Sequence, residues 1–213
     1  TYIKKALGST EFINSKERWC LWLPGSLDQY TVFPEIMERI ERVREMRLSS
    51  KDQGARDLAI RSHQFRDLKN PSSWLLVPRV SSERRKYVPI GFFDCNVIST
   101  DSNQMVPYAG IYEFGVLTSE MHNDWMRTIA GRLKSDYRYS ATLVYNTFPW
   151  PDASEDQQSE IEALSEGILL VREDYPDKTL ADLYDPDKMP APLLEAHRAL
   201  DNAVEKLYRR KPF

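Results

Sequence analysis

The stretch Phe148-Pro149-Trp150-Pro151-Asp152 divides this sequence more sharply than any other. Two prolines flanking one tryptophan remove two backbone donors and push the residues before them towards extended geometry, so neither a helix nor a central strand runs through. On the N-terminal side, short apolar runs of strand type at 18–23, 73–77, 87–93 and 142–145 mix with two helical patterns. On the C-terminal side every pattern is helical. The chain is therefore predicted to be an α+β domain over residues 1–149, with a small antiparallel or mixed sheet and packed helices, followed by an α-helical segment over residues 150–213.

The helical patterns have local support. Residues 34–49 place Ile36, Ile40 and Val43 on one face, put Pro34 in the first turn, and set Glu35/Arg39 and Glu38/Arg42 at ion-pair spacing. Residues 119–133 carry Met121, Trp125, Ile129 and Leu133 in a stripe, with Thr118 or Ser119 as cap. Ser154-Glu155-Asp156-Gln157 has capping-box spacing, and Ile161, Leu164, Ile168 and Val171 follow at helical intervals. A short turn of helix at 179–184 precedes a last helix over 190–209 with Leu193, His197, Leu200, Val204 and Leu207 on one side.

Composition narrows the class. With 41% hydrophobic and 29% charged residues and only 8 glycines in 213, the chain is a globular sequence, and no apolar run approaches the length of a membrane span. Two cysteines, Cys20 and Cys95, without zinc-ligand neighbours, predict a reduced, cytoplasmic setting. The opening Thr1-Tyr2-Ile3-Lys4-Lys5 reads as a piece of a longer polypeptide. Charge is uneven: residues 1–149 carry 21 basic against 17 acidic residues, residues 150–213 carry 8 against 15, and the window 39–86 holds 13 against 6. A polyanion is expected to meet that window.

Catalytic constellations are missing from the sequence. His63, His122 and His197 pair with no Ser or Cys in a nucleophile motif and are read as structural. Neither a Walker loop nor a dinucleotide-type glycine turn occurs. Asp67-Leu68-Lys69 lacks the upstream acidic partner of a nuclease site and reads as a solvated charge pair, while Asp185-Pro186-Asp187-Lys188 reads as a turn before a helix.

Three basic clusters remain. In Arg79-Val80-Ser81-Ser82-Glu83-Arg84-Arg85-Lys86-Tyr87, arginine can bond guanine bidentately, glutamate can accept from cytosine N4, and serine or lysine can hold phosphate; a charged sheet edge explains the same residues equally well. Glu83 and Arg85 are the candidates for base reading. Read as a strand, they share one face, with Arg84 and Lys86 on the other. Arg79, Ser81, Ser82, Arg84 and Lys86 are candidates for phosphate contact. So are Arg47, Ser49 and Lys51 at the end of the first helix, where cations also favour the helix dipole, and Lys134 and Arg138 in Lys134-Ser135-Asp136-Tyr137-Arg138-Tyr139-Ser140.

Taken in order, these motifs resemble a family. Glu11-Phe12-Ile13-Asn14, Arg18-Trp19-Cys20-Leu21-Trp22-Leu23, the Val43-Arg44-x-x-Arg47-x-Ser49 helix, Ser82-Glu83-Arg84-Arg85-x-Tyr87-Val88-Pro89, Gly131-Arg132-Leu133-x-Ser135-Asp136-Tyr137 and Tyr145-Asn146-Thr147-Phe148-Pro149-Trp150-Pro151 are similar to the target recognition domain of the MmeI-like DNA methyltransferases. Thr179-Leu180-Ala181-Asp182-Leu183-Tyr184-Asp185-Pro186 and Ala196-His197-x-x-Leu200-Asp201 are similar to that family's C-terminal helical segment.

The resemblance implies a non-catalytic recognition portion of an adenine-N6 methyltransferase of restriction-modification type. It also implies that Glu83-x-Arg85 lies where family members vary their base-reading side chains. Double-stranded DNA and the methyltransferase domain of the same polypeptide are the implied partners, with no membrane. No cofactor is expected in this portion. S-adenosylmethionine, and Mg where a nuclease is active, are expected in the parent, because the glycine loop and the Asn-Pro-Pro-aromatic motif are absent and Asn70-Pro71-Ser72 lacks the second proline and the aromatic. The alternative is a structural or protein-interaction domain bracing a larger DNA-processing enzyme.

Overall fold

A computed structural model of the chain describes residues 2–209. Up to residue 70 the elements are β1 (Ile3–Leu7), α1 (Ser9–Ile13), β2 (Trp19–Leu21), a 3-10 turn (Leu27–Tyr30), α2 (Pro34–Leu48), α3 (Gln53–Asp57) and a second 3-10 turn (Leu58–Arg61). Then come β3 (Ser73–Pro78), β4 (Val80–Ser81), β5 (Gly91–Asp94), β6 (Val97–Ser99), β7 (Asn103–Pro107), α4 (Ile111–Thr118), α5 (Glu120–Ile129), β8 (Gly131–Leu133), β9 (Asp136–Arg138), a π-helical turn (Ala141–Tyr145), α6 (Glu155–Glu173), α7 (Leu180–Leu183) and α8 (Ala191–Tyr208). This is the mixed α+β class with a helical C-terminal part that the patterning predicts. Two compact units are formed, one from the residues up to Lys5 with Trp19–Asn70, the other from Ala6–Arg18 with everything after Asn70.

In the first unit Ile3–Lys5 of β1 pairs antiparallel with β2, and Leu23, Tyr30 and Ile40 make a small core with Leu21, Ile36 and Met37 packed on it. Pro34 opens α2, where its missing N–H costs nothing. The Asp52 side chain caps α3 by accepting from the Gly54 N–H at 3.1 Å. Past α3 the chain lies back along α2, held by Arg47, whose guanidinium donates to the carbonyls of Leu58 (2.8 Å), Arg61 (3.0 Å) and Gln64 (2.8 Å). A segment of this kind has backbone acceptors left over from its irregular geometry, and one arginine satisfies three of them.

The second unit is built on β3, which is paired antiparallel on both sides, by β5 and by β7. Trp74–Val77 are at most 2% exposed, which explains why this strand reads as an uninterrupted apolar run and not as an alternation. A second sheet has β9 at its centre between β4 and β8. Below the sheets one core joins Leu75, Val77, Phe114 and Leu117 to Ile161, Ile168, Leu193, Leu200 and Val204. The helices predicted as a separate segment after residue 149 thus share their core with the strands before it. Gly115 makes the closest approach: a Cβ there would lie 2.2 Å from Ser165 Oγ and 2.7 Å from Ile161 Cγ2, so α4 and α6 meet face to face only because that position has no side chain.

Three predicted elements differ from those formed. The run 87–93 is strand only from Gly91; Tyr87 to Ile90 are buried in irregular backbone. The apolar run 142–145 forms the π-helical turn instead, because burying Val144 at 0% exposure overrides strand propensity. Helix α5 stops at Ile129, since Gly131–Leu133 pairs with Asp136–Arg138 as a hairpin, leaving Leu133 exposed. The caps at Ser119 and the Ser154/Gln157 box form as read.

Candidate nucleic-acid interface

Two of the three basic clusters come together in the second unit. Strand β4 pairs with β9 through Val80↔Arg138 and Ser81↔Tyr137, and β9 returns to β8 across a two-residue hairpin loop, Lys134-Ser135. Lys134 adopts φ 57°, the left-handed region that most residues avoid but that such tight loops require. Lys134 and Arg138 are exposed on this hairpin. Residues 79–86 and 131–138, far apart in sequence, therefore form one charged ribbon.

The tip of the ribbon is a turn, not the strand that the alternation argument assumes. The Arg85 N–H donates to the Ser82 carbonyl at 3.1 Å, and the Arg84 N–H reaches Ser82 Oγ at 3.3 Å. With a turn between them, Glu83 and Arg85 owe their shared neighbourhood to chain reversal and not to pleat alternation. Glu83 pairs with Arg132 Nη1 at 3.3 Å, and Arg132 lies 3.9 Å over the Tyr137 ring. Arg84 pairs with Asp187 at 2.5 Å, and Lys86 Nζ with Glu120 at 3.0 Å. These pairs are exposed or half-exposed, so opening them to meet another charge costs little. The hydrogen bond that Arg84 donates to Asp187 holds its guanidinium even more firmly protonated. Arg85 differs: partial burial pulls its pKa down, opposed by the nearby carboxylates of Asp136 and Asp185.

Other candidates are placed differently from the expectation. Ser81 is 3% exposed, with its hydroxyl buried and unpartnered among the described residues, so it faces the interior and does not present to a phosphate. Arg79 is half-buried, and its backbone bonds Ser102 and Tyr139. Arg47 in the first unit has its donors committed to three carbonyls, and burial, helped by Arg61, lowers its pKa. These bonds give Arg47 a structural task within the first unit. Ser49 is exposed but donates to the Met46 carbonyl at 3.0 Å; Lys51 is exposed.

Sequence reading missed the residues behind the turn. Arg127 donates to the carbonyls of both Arg85 (3.2 Å) and Lys86, and Asn123 Oδ1 accepts from the Val88 N–H at 2.9 Å. The Tyr87 hydroxyl donates to Asp201 at 2.6 Å, and its ring stacks on His197 at 4.1 Å. Arg132, Asp187, Tyr87, His197 and Asp201 stand inside quoted motifs without a role at the turn. No local signal marks the others, because each acts across a long sequence separation.

Two of the three histidines are core residues, while His63 is partly exposed with its Nε2 3.0 Å from the Gly25 carbonyl. His122 is 3% exposed; its Nδ1 donates to the Leu117 carbonyl at 2.9 Å and its Nε2 faces the Tyr139 hydroxyl at 3.2 Å, and burial pulls its pKa down to about 4. His197 is fully buried against Tyr184 and Tyr87, with its pKa well below the ordinary value for the same reason.

Comparison with known proteins bears on this surface. The profile of the family described as MmeI, target recognition domain, matches residues 1–152, and that described as MmeI, C-terminal domain, matches residues 153–213. The chain is 44% identical over 214 residues to DNA methyltransferase A of Bacillus subtilis (strain 168), covering 100% of this chain and 24% of that protein. A solved structure of the type IIL restriction-modification enzyme MmeI in complex with DNA superposes with a TM-score of 0.96 at 45% identity, covering 100% of this chain and 29% of that one. The chain thus spans about a quarter of the relatives it matches.

Proposed function

The chain belongs to the MmeI family, with the target recognition domain in residues 1–152 and the C-terminal domain in residues 153–213, and on that premise we propose that it selects the double-stranded DNA sequence on which a longer polypeptide acts. One observation carries the reading: two basic segments remote in sequence converge on a single exposed ribbon whose tip offers a carboxylate and a guanidinium two residues apart. At that tip Glu83 accepts from cytosine N4 and Arg85 donates to guanine O6 and N7, while Arg84, Lys86, Lys134 and Arg138 meet phosphates. The Glu83–Arg132 pair opens on contact, releasing Arg132 towards the backbone of the DNA.

The catalytic part of the same polypeptide is the second partner. The glycine loop and the adenine-clamping motif are missing from the sequence, and among the described residues no three His, Cys, Asp or Glu side chains are grouped to hold a metal ion. We therefore assign methyl transfer to adenine N6, and any cleavage, to regions outside these residues, in a cytoplasmic protein. No helix among the described residues is long and apolar enough to cross a membrane.

The test is the methylated motif. In the full-length polypeptide, exchanging Glu83→Lys together with Arg85→Asp reverses donor and acceptor character and should redirect one position of the methylated sequence. An active pair variant with an unchanged motif removes both residues from the reading role. Titration of duplex DNA at two salt concentrations covers the interaction-domain alternative: affinity indifferent to salt favours a protein surface as the partner of the ribbon.

A further inference from the structure

We propose that helix α8 is a positioning element for base reading, with Asp201 and His197 fixing the recognition turn through Tyr87, so that fidelity of target choice depends on the C-terminal domain. The inference rests on the reading of the turn given above and extends it to residues that never touch DNA.

Residues 82–90 lie between β4 and β5 and belong to neither sheet. A segment without a ladder partner has to satisfy its backbone in another way. Here the carbonyls of Arg85 and Lys86 are held by Arg127, and the Val88 N–H by Asn123, both from α5. Arg172 from α6 holds the Ile90 carbonyl at 2.9 Å, and a further anchor is the Tyr87 side chain, 1% exposed, two residues after the turn closes. Its ring lies flat on His197, at 4.1 Å and 20°, and its hydroxyl donates to Asp201 Oδ2 at 2.6 Å. The other oxygen of Asp201 accepts from the Glu120 N–H at 2.7 Å, and the Glu120 carboxylate reaches round to Lys86 Nζ at 3.0 Å. One carboxylate of α8 thus ties the start of α5 to the residue that ends the turn.

A buried carboxylate is a poor choice for stability alone, because an apolar pair of the same shape avoids the desolvation cost. Burial raises the pKa of Asp201 to about 6, which is the sign of that cost. What an apolar pair lacks is direction. The Glu120 N–H fixes Asp201, and Asp201 with the His197 ring fixes Tyr87, and hence the place from which Glu83 and Arg85 project. Base reading is sensitive to sub-ångström displacement, since bidentate bonds lose strength quickly away from ideal geometry.

The experiment uses the full-length polypeptide and measures the ratio of methylation at its own motif to methylation at motifs differing by one base pair. Wild type, Asp201→Ala, Asp201→Asn, Tyr87→Phe and the Glu83→Lys/Arg85→Asp exchange are compared, with melting temperature recorded for each. Asp201→Ala should lower the ratio about tenfold, at the base pair that the exchange redirects, and Tyr87→Phe should lower it in the same direction. Asp201→Asn, which keeps an oxygen for the Glu120 N–H and a polar group beside Tyr87, should recover most of it.

Loss of activity in proportion to melting temperature, with the ratio unchanged, overturns the proposal. Should Asp201→Ala fail to fold, Tyr87→Phe decides by the same criterion, since it removes a single oxygen. An exchange that leaves the motif unaltered sinks the reading of Glu83 and Arg85 themselves; an exchange that shifts it, beside an Asp201→Ala ratio equal to wild type, sinks the positioning role only.

Discussion

The basic helix of the first unit and the basic ribbon of the second carry similar side chains and commit them in opposite ways. On and after α2, Arg42 and Arg44 pair with Glu38 and Glu41 of the same helix, while Arg47, Arg56 and Arg61 donate to carbonyls within 17 residues of themselves. On the ribbon, Glu83 meets Arg132 from 49 residues away and Arg84 meets Asp187 from 103. A local charge run tends to neutralise itself, because its partners are built into the same few turns. A charge cluster assembled from distant segments needs the whole fold to bring it together, and stays exchangeable at the surface. The excess of cations in the window 39–86 thus overstates what its first half offers to a polyanion.

Arg47→Ala breaks the comparison most severely if it is wrong. Three carbonyls lose their donor, so the first unit should lose about 2–3 kcal/mol of stability in urea unfolding. The slope of log affinity against log salt for duplex DNA should stay as it is. A slope smaller by about one with unaltered stability would return Arg47 to the phosphate contacts.

Acid titration sharpens the contrast between buried groups and surface pairs. The folded pKa of His122 is depressed from 6.5 to about 4, so the unfolded chain takes up a proton first, and the stability held by the neutral ring is lost as pH falls through that window. His197 acts in the same sense. Asp201 acts in the opposite one: its pKa is raised from 3.8 to about 6, so its contribution is full at low pH and lost as pH rises through the window. Asp201 thus offsets the loss from the two rings as pH falls from 6.5 to 4, and Asp201→Asn should steepen the fall in stability over that range. A thermal-melt series across that range is the check, and a flat profile in Asp201→Asn would contradict the burial of the two rings.

Smaller effects come from the ribbon itself. Arg132→Ala loses the Glu83 pair and the contact over Tyr137, worth about 0.5–1 kcal/mol at this exposure, and should weaken DNA binding by more than it weakens the fold. Last comes Arg42→Ala, within about 0.5 kcal/mol in stability and without effect on DNA affinity. A clear loss of DNA affinity there would undo the distinction between the two regions.

What was legible in the sequence follows the range of the forces. Helix α6 was readable because Ser154, Gln157, Ile161 and Ile168 encode cap and face within a few turns. Strand β3 was readable because burial on both faces leaves a run of apolar residues. Glu83, Arg85, Lys134 and Arg138 were flagged by chemistry alone, and their convergence was not readable, since the pairing of β4 with β9 leaves no local trace. The burial of Ser81 is not legible, because a two-residue strand gives no period from which to tell inside from outside. The hydrogen bond from Tyr87 to Asp201, across 114 residues, lies beyond any pattern.

The backbone of the turn between Ser82 and Val88 is closed by its own bonds to Ser82 and held from behind by Arg127, Asn123 and the anchored ring of Tyr87. None of these holds depends on the identity of the outward side chains. Such a turn works like the socket of a tool holder: the bits at 83 and 85 can be changed while the shank stays clamped. A library randomised at those two positions should yield mostly folded variants with new preferences, whereas inserting a single residue between Ser82 and Tyr87 would shift every clamp by one position and leave few that fold at all.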